Sequence, residues 1–163
     1  MNLPSSPPLL LSELLAENGM ALNLAGRQRE AVLVELINCV RQMAGQPDAQ
    51  QTFLRALLER EQLCSTGIGD GVALPHCRNA LVGLVERAVI VFGRHAQGIP
   101  YGAIDNAPAK LFFLIVAPNV SQHLQLLARL SRLVRDPKLR QSLLLAERPE
   151  RVIAVVREAE VRI

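Results

Sequence analysis

His76 closes the segment Ser65-Thr66-Gly67-Ile68-Gly69-Asp70-Gly71-Val72-Ala73-Leu74-Pro75-His76. A histidine behind a proline and a run of alternating glycines sits on constrained, exposed backbone. Much of a histidine population is neutral near pH 7, and neutral imidazole is a nitrogen nucleophile. Such a nitrogen can take a phosphoryl group and release it again, which suits a relay. Local chemistry alone favours a plainer alternative, a surface or hydrogen-bonded core histidine. Three other features add to the chemical reading. Ser65 and Thr66 carry hydroxyls that could donate to a phosphoryl oxygen, although turn bonding is their commoner use. Arg60 could make a charge-assisted contact to phosphate, although an arginine beside Glu59 and Glu61 is also an ordinary surface residue. His123 falls in the first turn of an expected helix, where the field favours anions and disfavours imidazolium. It too reads equally as a partly exposed helix histidine. His95 stands in a loop-like stretch with no pattern around it.

Gly67, Gly69 and Gly71 permit positive φ and close backbone approach. One reading is a nest of amides around an anion, and the other is a tight irregular turn. A dinucleotide fingerprint does not fit, because no helix opens after the third glycine. A phosphate-cradling Gly-Lys-Ser/Thr sequence is missing as well. Cys64, His76 and Cys77 match no common zinc spacing and lack an evident fourth ligand, so no metal and no cofactor is expected. A Cys77–His76 nucleophile pair is disfavoured, since neighbours on extended backbone point apart.

These residues need elements to hold them. Residues 1–8, with Pro4, Ser5, Ser6, Pro7 and Pro8, read as a flexible leader, and 9–163 as a single domain. Leu9–Ala16 is expected to form one or two helical turns, and Met20–Leu24 a weak strand. Leu33, Leu36, Ile37, Val40 and Met43 predict a helix over Arg27–Met43, ended by Gly45 and Pro47. Asp48 is expected to cap the next helix, with Leu54, Leu57 and Leu58 on its apolar face. Residues 64–80 read as loop, short strand and exposed turn. Arg87–Phe92 and the apolar run Leu111–Ala117 read as strands, with Gly93–Ala109 mostly loop between them. Asn119 or Ser121 caps a helix to about Arg135, with Leu124, Leu127, Leu130 and Val134 inward. Asp136-Pro137 and Pro149 open two more helices. The order predicts an α/β fold, a small mixed sheet with helices on both faces.

Composition fits a globular chain of 163 residues, half of them hydrophobic and 20% charged. Its net charge is +3, carried almost wholly by arginine. No dense basic run and only 3% aromatics argue against nucleic acid as a partner. The N-terminus lacks a secretory pattern, and no apolar run is long enough for membrane insertion. A cytoplasmic location is expected. Three cysteines, Cys39, Cys64 and Cys77, match no disulfide framework.

Taken together, Glu59-Arg60-Glu61, Ser65-Thr66-Gly67-Ile68-Gly69 and Gly71-Val72-Ala73-Leu74-Pro75-His76 resemble the enzyme IIA domains of the bacterial phosphotransferase system. The subtype is the fructose/mannitol group, which includes the nitrogen-regulatory IIA proteins. Ala103-Ile104-Asp105-Asn106-Ala107-Pro108, the run Leu111–Pro118 and His123-Leu124 extend the resemblance over roughly 9–158. It implies that His76 is the phosphorylated residue and that His123 and Arg60 assist. It implies a phosphorylated HPr-like carrier as donor and, in transporting members, a IIB domain as acceptor.

Gly102, Lys110 and Cys77 depart from the pattern of that family, and the first two change charge near the expected docking surface. Ile68, Val72 and Leu74 are the expected apolar patch around His76. At 163 residues no fused IIB, IIC or HPr domain is expected, and on that expectation the reading is a regulatory carrier. The alternatives are a IIA component of fructose- or mannitol-type sugar uptake and a non-catalytic binding module.

Overall fold

A computed structural model describes residues 9–78 and 83–163. The expected leader, 1–8, and the end of the 64–80 segment, 79–80, lie outside the described residues. In chain order the elements are α1 Leu11–Ala16, α2 Arg29–Ile37, α3 Pro47–Leu63, β1 Gly67–Gly69 and β2 Val72–Ala73. They continue as β3 Val89–Ile99, β4 Ala109–Val116, α4 Val120–Leu133, α5 Pro137–Leu145 and α6 Pro149–Glu160.

The sheet has the order β1-β2-β4-β3. β2 runs parallel to β4, and the other two pairs are antiparallel. β4 is central and apolar on both faces, and its side chains sort with period two. Leu111, Phe113 and Ile115 enter a core with α1, α4, α5 and α6, while Phe112, Leu114 and Val116 enter a second core with α2 and α3. β3 divides likewise, Ile90 and Phe92 to the first core and Val89 and Val91 to the second. Helices therefore cover both faces, as the sequence predicts. Phe113 is fully buried, so Phe113→Ala would cost about 3–5 kcal/mol.

Several local expectations are corrected. The first long helix stops at Ile37, and a separate 3-10 turn follows at Arg41–Met43. The chain at 18–19 takes the backbone groups a continuing helix would use: Gly19 N–H donates to the Cys39 carbonyl, and Arg41 N–H to the Asn18 side chain. Pro47, not Asp48, opens α3, and Asp48 lies in its first turn. Residues 67–73 are a hairpin rather than loop followed by strand. Asp70 and Gly71, at φ 55° and 77°, form its two-residue tip. β3 runs on to Ile99, absorbing much of the stretch read as loop. Met20–Leu24 forms no full strand; Ala21 alone bridges to Gly93. Leu124 faces solvent, and the inner face of α4 is His123, Leu126, Leu130 and Leu133.

The parallel pairing of β2 and β4 decides where chemistry can gather. Both strands point their C-terminal ends the same way. The end of β2 leads into Pro75-His76, and the end of β4 into α4.

Candidate functional site

Pro75 and His76 are tied to the end of β4 by Ile115 N–H, which donates to the Pro75 carbonyl at 3.0 Å. The His76 Nδ1 lies 2.6 Å from the Leu74 carbonyl. A carbonyl only accepts, so Nδ1 carries the proton and Nε2 keeps its lone pair. His76 is half-buried, and burial is the main influence pushing its pKa below the ordinary value. The bond to Leu74 opposes this; the Arg60 charge lowers the pKa and the Glu61 charge raises it.

His123 arrives from the first turn of α4. Asn119 caps that helix by accepting from Gln122 N–H at 2.9 Å. The His76 and His123 ring centroids are 5.6 Å apart, tilted by 56°. Burial lowers the pKa of His123 too, with His76 adding a smaller push in the same direction. Both rings are thus held toward the neutral form. Arg60, in the last turn of α3, donates to the Cys64 carbonyl, and its charge reaches His76. His76, His123 and Arg60 come together from β2, α4 and α3.

Ser65 and Thr66 are near the site but otherwise engaged. The Ser65 hydroxyl donates to the Tyr101 carbonyl and accepts from Gly67 N–H. Thr66 is buried; its hydroxyl and its N–H both donate to the Glu61 carboxyl. Both hydroxyls thus have protein partners in this structure. Glu61 is the residue the sequence reading passed over. It also accepts from the Tyr101 hydroxyl at 2.9 Å and lies 3.9 Å from Arg29. The Arg29 guanidinium sits 5.0 Å over the Tyr101 ring and donates to its carbonyl. Burial first, and then the Glu61 charge, drive the Tyr101 pKa well upward. One signal was available: Glu61 continues the apolar stripe Leu54, Leu57 at helical spacing, where a carboxylate needs partners.

The glycine-rich segment also resolves differently. The hairpin tip does hold an anion, but it is the chain's own. Asp70 N–H and Ala107 N–H donate to the two Asp105 oxygens at 2.9 and 3.0 Å. Those bonds, Asp70's first, hold the Asp105 carboxyl below its usual pKa. The tip lies at the opposite end of β2 from His76.

Lys110 is at that end too, beside Gly71, so its charge is remote from the histidines. Gly102 adopts φ 75° with Arg29 beside it. Val72 and Leu74 are buried in the core, and of the expected patch only Ile68 is exposed. Cys77 faces the α2–α3 core, its thiol pushed up to about 12 by burial, while Cys64 is exposed. Among the described residues, no group of three or more His, Cys, Asp or Glu is placed to hold a metal ion. No helix among them is long and apolar enough to cross a membrane.

The profile of the phosphoenolpyruvate-dependent sugar phosphotransferase system EIIA 2 family matches residues 13–159. The chain belongs to this family. It is 35% identical over 150 residues to the fructose-specific EIIABC component of Bacillus subtilis, covering 91% of this chain and 23% of that protein. It is 31% identical over 148 residues to a nitrogen regulatory protein of Pseudomonas aeruginosa, covering 90% of this chain and 94% of the relative. Among solved structures, the nitrogen regulatory protein IIA-Ntr of Neisseria meningitidis superposes with a TM-score of 0.77 at 26% identity, over 91% of this chain and 99% of that one. A complex of enzyme IIA and phosphorylated enzyme IIB for mannitol from Escherichia coli gives 0.70 at 20% identity, covering 85% and 93%. That likeness is one of fold. Within the IIA family the chain is thus similar to both nitrogen-regulatory and fructose members.

Proposed function

We propose that this IIA domain carries a phosphoryl group on Nε2 of His76. The observation that carries the reading is the Nδ1 contact to the Leu74 carbonyl, which leaves Nε2 as the free nucleophile. An HPr-like phosphohistidine protein is the donor. The Nε2 lone pair attacks phosphorus in line, and the new N–P bond forms as the donor's N–P bond breaks. The electron pair of the broken bond returns to the donor's imidazole. The proton stays on Nδ1, hydrogen-bonded to the Leu74 carbonyl, so the phosphorylated ring leaves as a neutral imidazole in onward transfer. Arg60 offsets phosphoryl charge, and His123 stands close enough to donate a hydrogen bond as that charge develops. Low pKa values for both rings keep the acceptor neutral and reactive. Ser65 and Thr66 shape the loop rather than touch phosphate.

The carrier acts in regulation, where charge added at one exposed point changes a partner interface. A match over 94% of a nitrogen regulatory protein supports this. The second reading, fructose- or mannitol-type uptake with a IIB acceptor, has its own support in the fructose relative at 35% identity. Incubation with a phosphorylated HPr-type donor tests the core of the proposal. One acid-labile phosphate is expected by intact-mass measurement, absent in His76→Ala. Unchanged labelling of His76→Ala would remove the assignment, and no labelling of the wild type would favour a non-catalytic binding module. Mixing the phosphorylated form with host extract separates the roles. If a sugar-specific IIB and the donor are the only state-dependent partners, uptake replaces regulation.

A further inference from the structure

A continuous series of hydrogen bonds links a buried carboxyl to the reactive histidine. Glu61 takes both the N–H and the hydroxyl of Thr66. The Thr66 carbonyl accepts Leu74 N–H at 3.0 Å. The Leu74 carbonyl, on the far side of the same residue, accepts His76 Nδ1–H. Behind Glu61 stand the Tyr101 hydroxyl and Arg29, which fix the carboxyl in turn. We infer that Glu61 is a positioning residue for phosphoryl transfer, acting through Thr66 and Leu74 to set the orientation and tautomer of His76. This rests on the reading of His76 as the phosphoryl acceptor.

The physical case is geometric. Leu74 is the only residue between the hairpin ladder and Pro75, and its two peptide groups face opposite partners. Moving Thr66 moves the Leu74 peptide, and the carbonyl that selects the His76 tautomer moves with it. Glu61 is buried, is held by the donors of Thr66 and Tyr101, and has Arg29 beside it, so its place is fixed. Misplacing a reacting group by about 1 Å can cost about 100-fold in rate. The groups whose charge or bond acts on His76 are Arg60 and Glu61, from α3, and the Leu74 carbonyl, after β2, while His76 in turn acts on His123 of α4.

The test uses nitrogen NMR of His76 and the rate of phosphorylation by an HPr-type donor, for five variants of the whole chain. Glu61→Gln removes charge and should lower the His76 titration midpoint. It should also mix the two tautomers and slow phosphorylation by about 10- to 100-fold. Thr66→Val keeps the charge and breaks one bond. It should leave the midpoint near wild type while loosening the tautomer and slowing transfer; Thr66→Ser should restore both. Tyr101→Phe should follow Thr66→Val more weakly. Glu160→Gln, remote from the site, should change neither reading. The proposal is overturned if Glu61→Gln and Thr66→Val keep the wild-type tautomer and rate, or if Glu160→Gln moves them as far. Should Glu61→Gln fail to fold, Thr66→Val against Thr66→Ser decides alone. Failure of wild-type His76 to accept phosphate would remove the function, yet the NMR comparison would still report whether Glu61 sets the ring.

Discussion

Glu61 and Glu160 are the two buried carboxylates among the described residues, and they are built alike. Each accepts from the backbone N–H and the hydroxyl of one residue, Thr66 for Glu61 and Ser12 for Glu160. Each takes one more donor, the Tyr101 hydroxyl or Leu11 N–H, and has an arginine 3.9 or 3.7 Å away. Their places differ. Glu160 ends α6 and binds the first turn of α1, fastening two helices on the face away from α2 and α3. Glu61 lies in the last turn of α3, just before the hairpin that leads to His76. The same local device is a fastener in one region and part of a reactive site in the other. What separates them is the next bond along the chain, not the carboxylate itself.

The contrast can be broken most severely at the histidines. His76→Ala should eliminate labile phosphate altogether, as read by intact mass after incubation with phosphorylated donor. His123→Ala should leave the label on His76 but slow its arrival by about 100- to 1,000-fold in a rapid-quench experiment. Label found on His123 in the wild type would exchange the two roles. Next in size is the fastener. Glu160→Gln should cost about 1.5–3 kcal/mol in denaturant unfolding, with the transfer rate of the folded protein unchanged. A fall in both would end the distinction between the two carboxylates.

A smaller effect concerns pH. The folded pKa values of His76 and His123 are lowered, so the unfolded chain binds protons first as pH falls below about 6.5. The stability from keeping these rings neutral is complete above that pH and is lost as pH drops through the folded values. Urea midpoints should therefore fall on acidification through that window, and less steeply when both histidines are alanine. Glu160→Gln should keep the wild-type slope. The least effect is expected from Asp105→Asn, which loosens the hairpin tip at the other end of the sheet. A change in transfer rate beyond about twofold there would show that the tip and the site are coupled.

The layered fold was legible because its signals were local and periodic. The continuous apolar run of β4 announced a strand covered on both faces, and Asn119, Pro137 and Pro149 marked helix starts correctly. The break after Ile37 was not legible, because it depends on Asn18 and Gly19 meeting Cys39 and Arg41 across the fold. His76, His123 and Arg60 were readable only as a combination. None of the three stands out by its own neighbours, and no spacing rule reveals that the ends of β2 and β4 point the same way. The glycines misled for a physical reason. Positive φ and exposed amides signal an anion, and Asp105 turned out to supply it. The bond from the Thr66 hydroxyl to Glu61 was not legible either, since a hydroxyl's partner is set by tertiary contact rather than by sequence position.

The stretch 20–24, too irregular to be a strand, lies along one edge of the sheet. Ala21 and Leu24 N–H donate to the Phe92 and Arg94 carbonyls, and Arg94 N–H to the Ala21 carbonyl. The outer rim of β3 is thus occupied over its middle by the chain's own N-terminal region. A visiting protein finds no free ladder over that middle stretch, so recognition by adding a strand is closed there. Recognition of any protein at that stretch then falls to side chains and loops. Those can diverge among relatives without disturbing the sheet that holds the histidines in place.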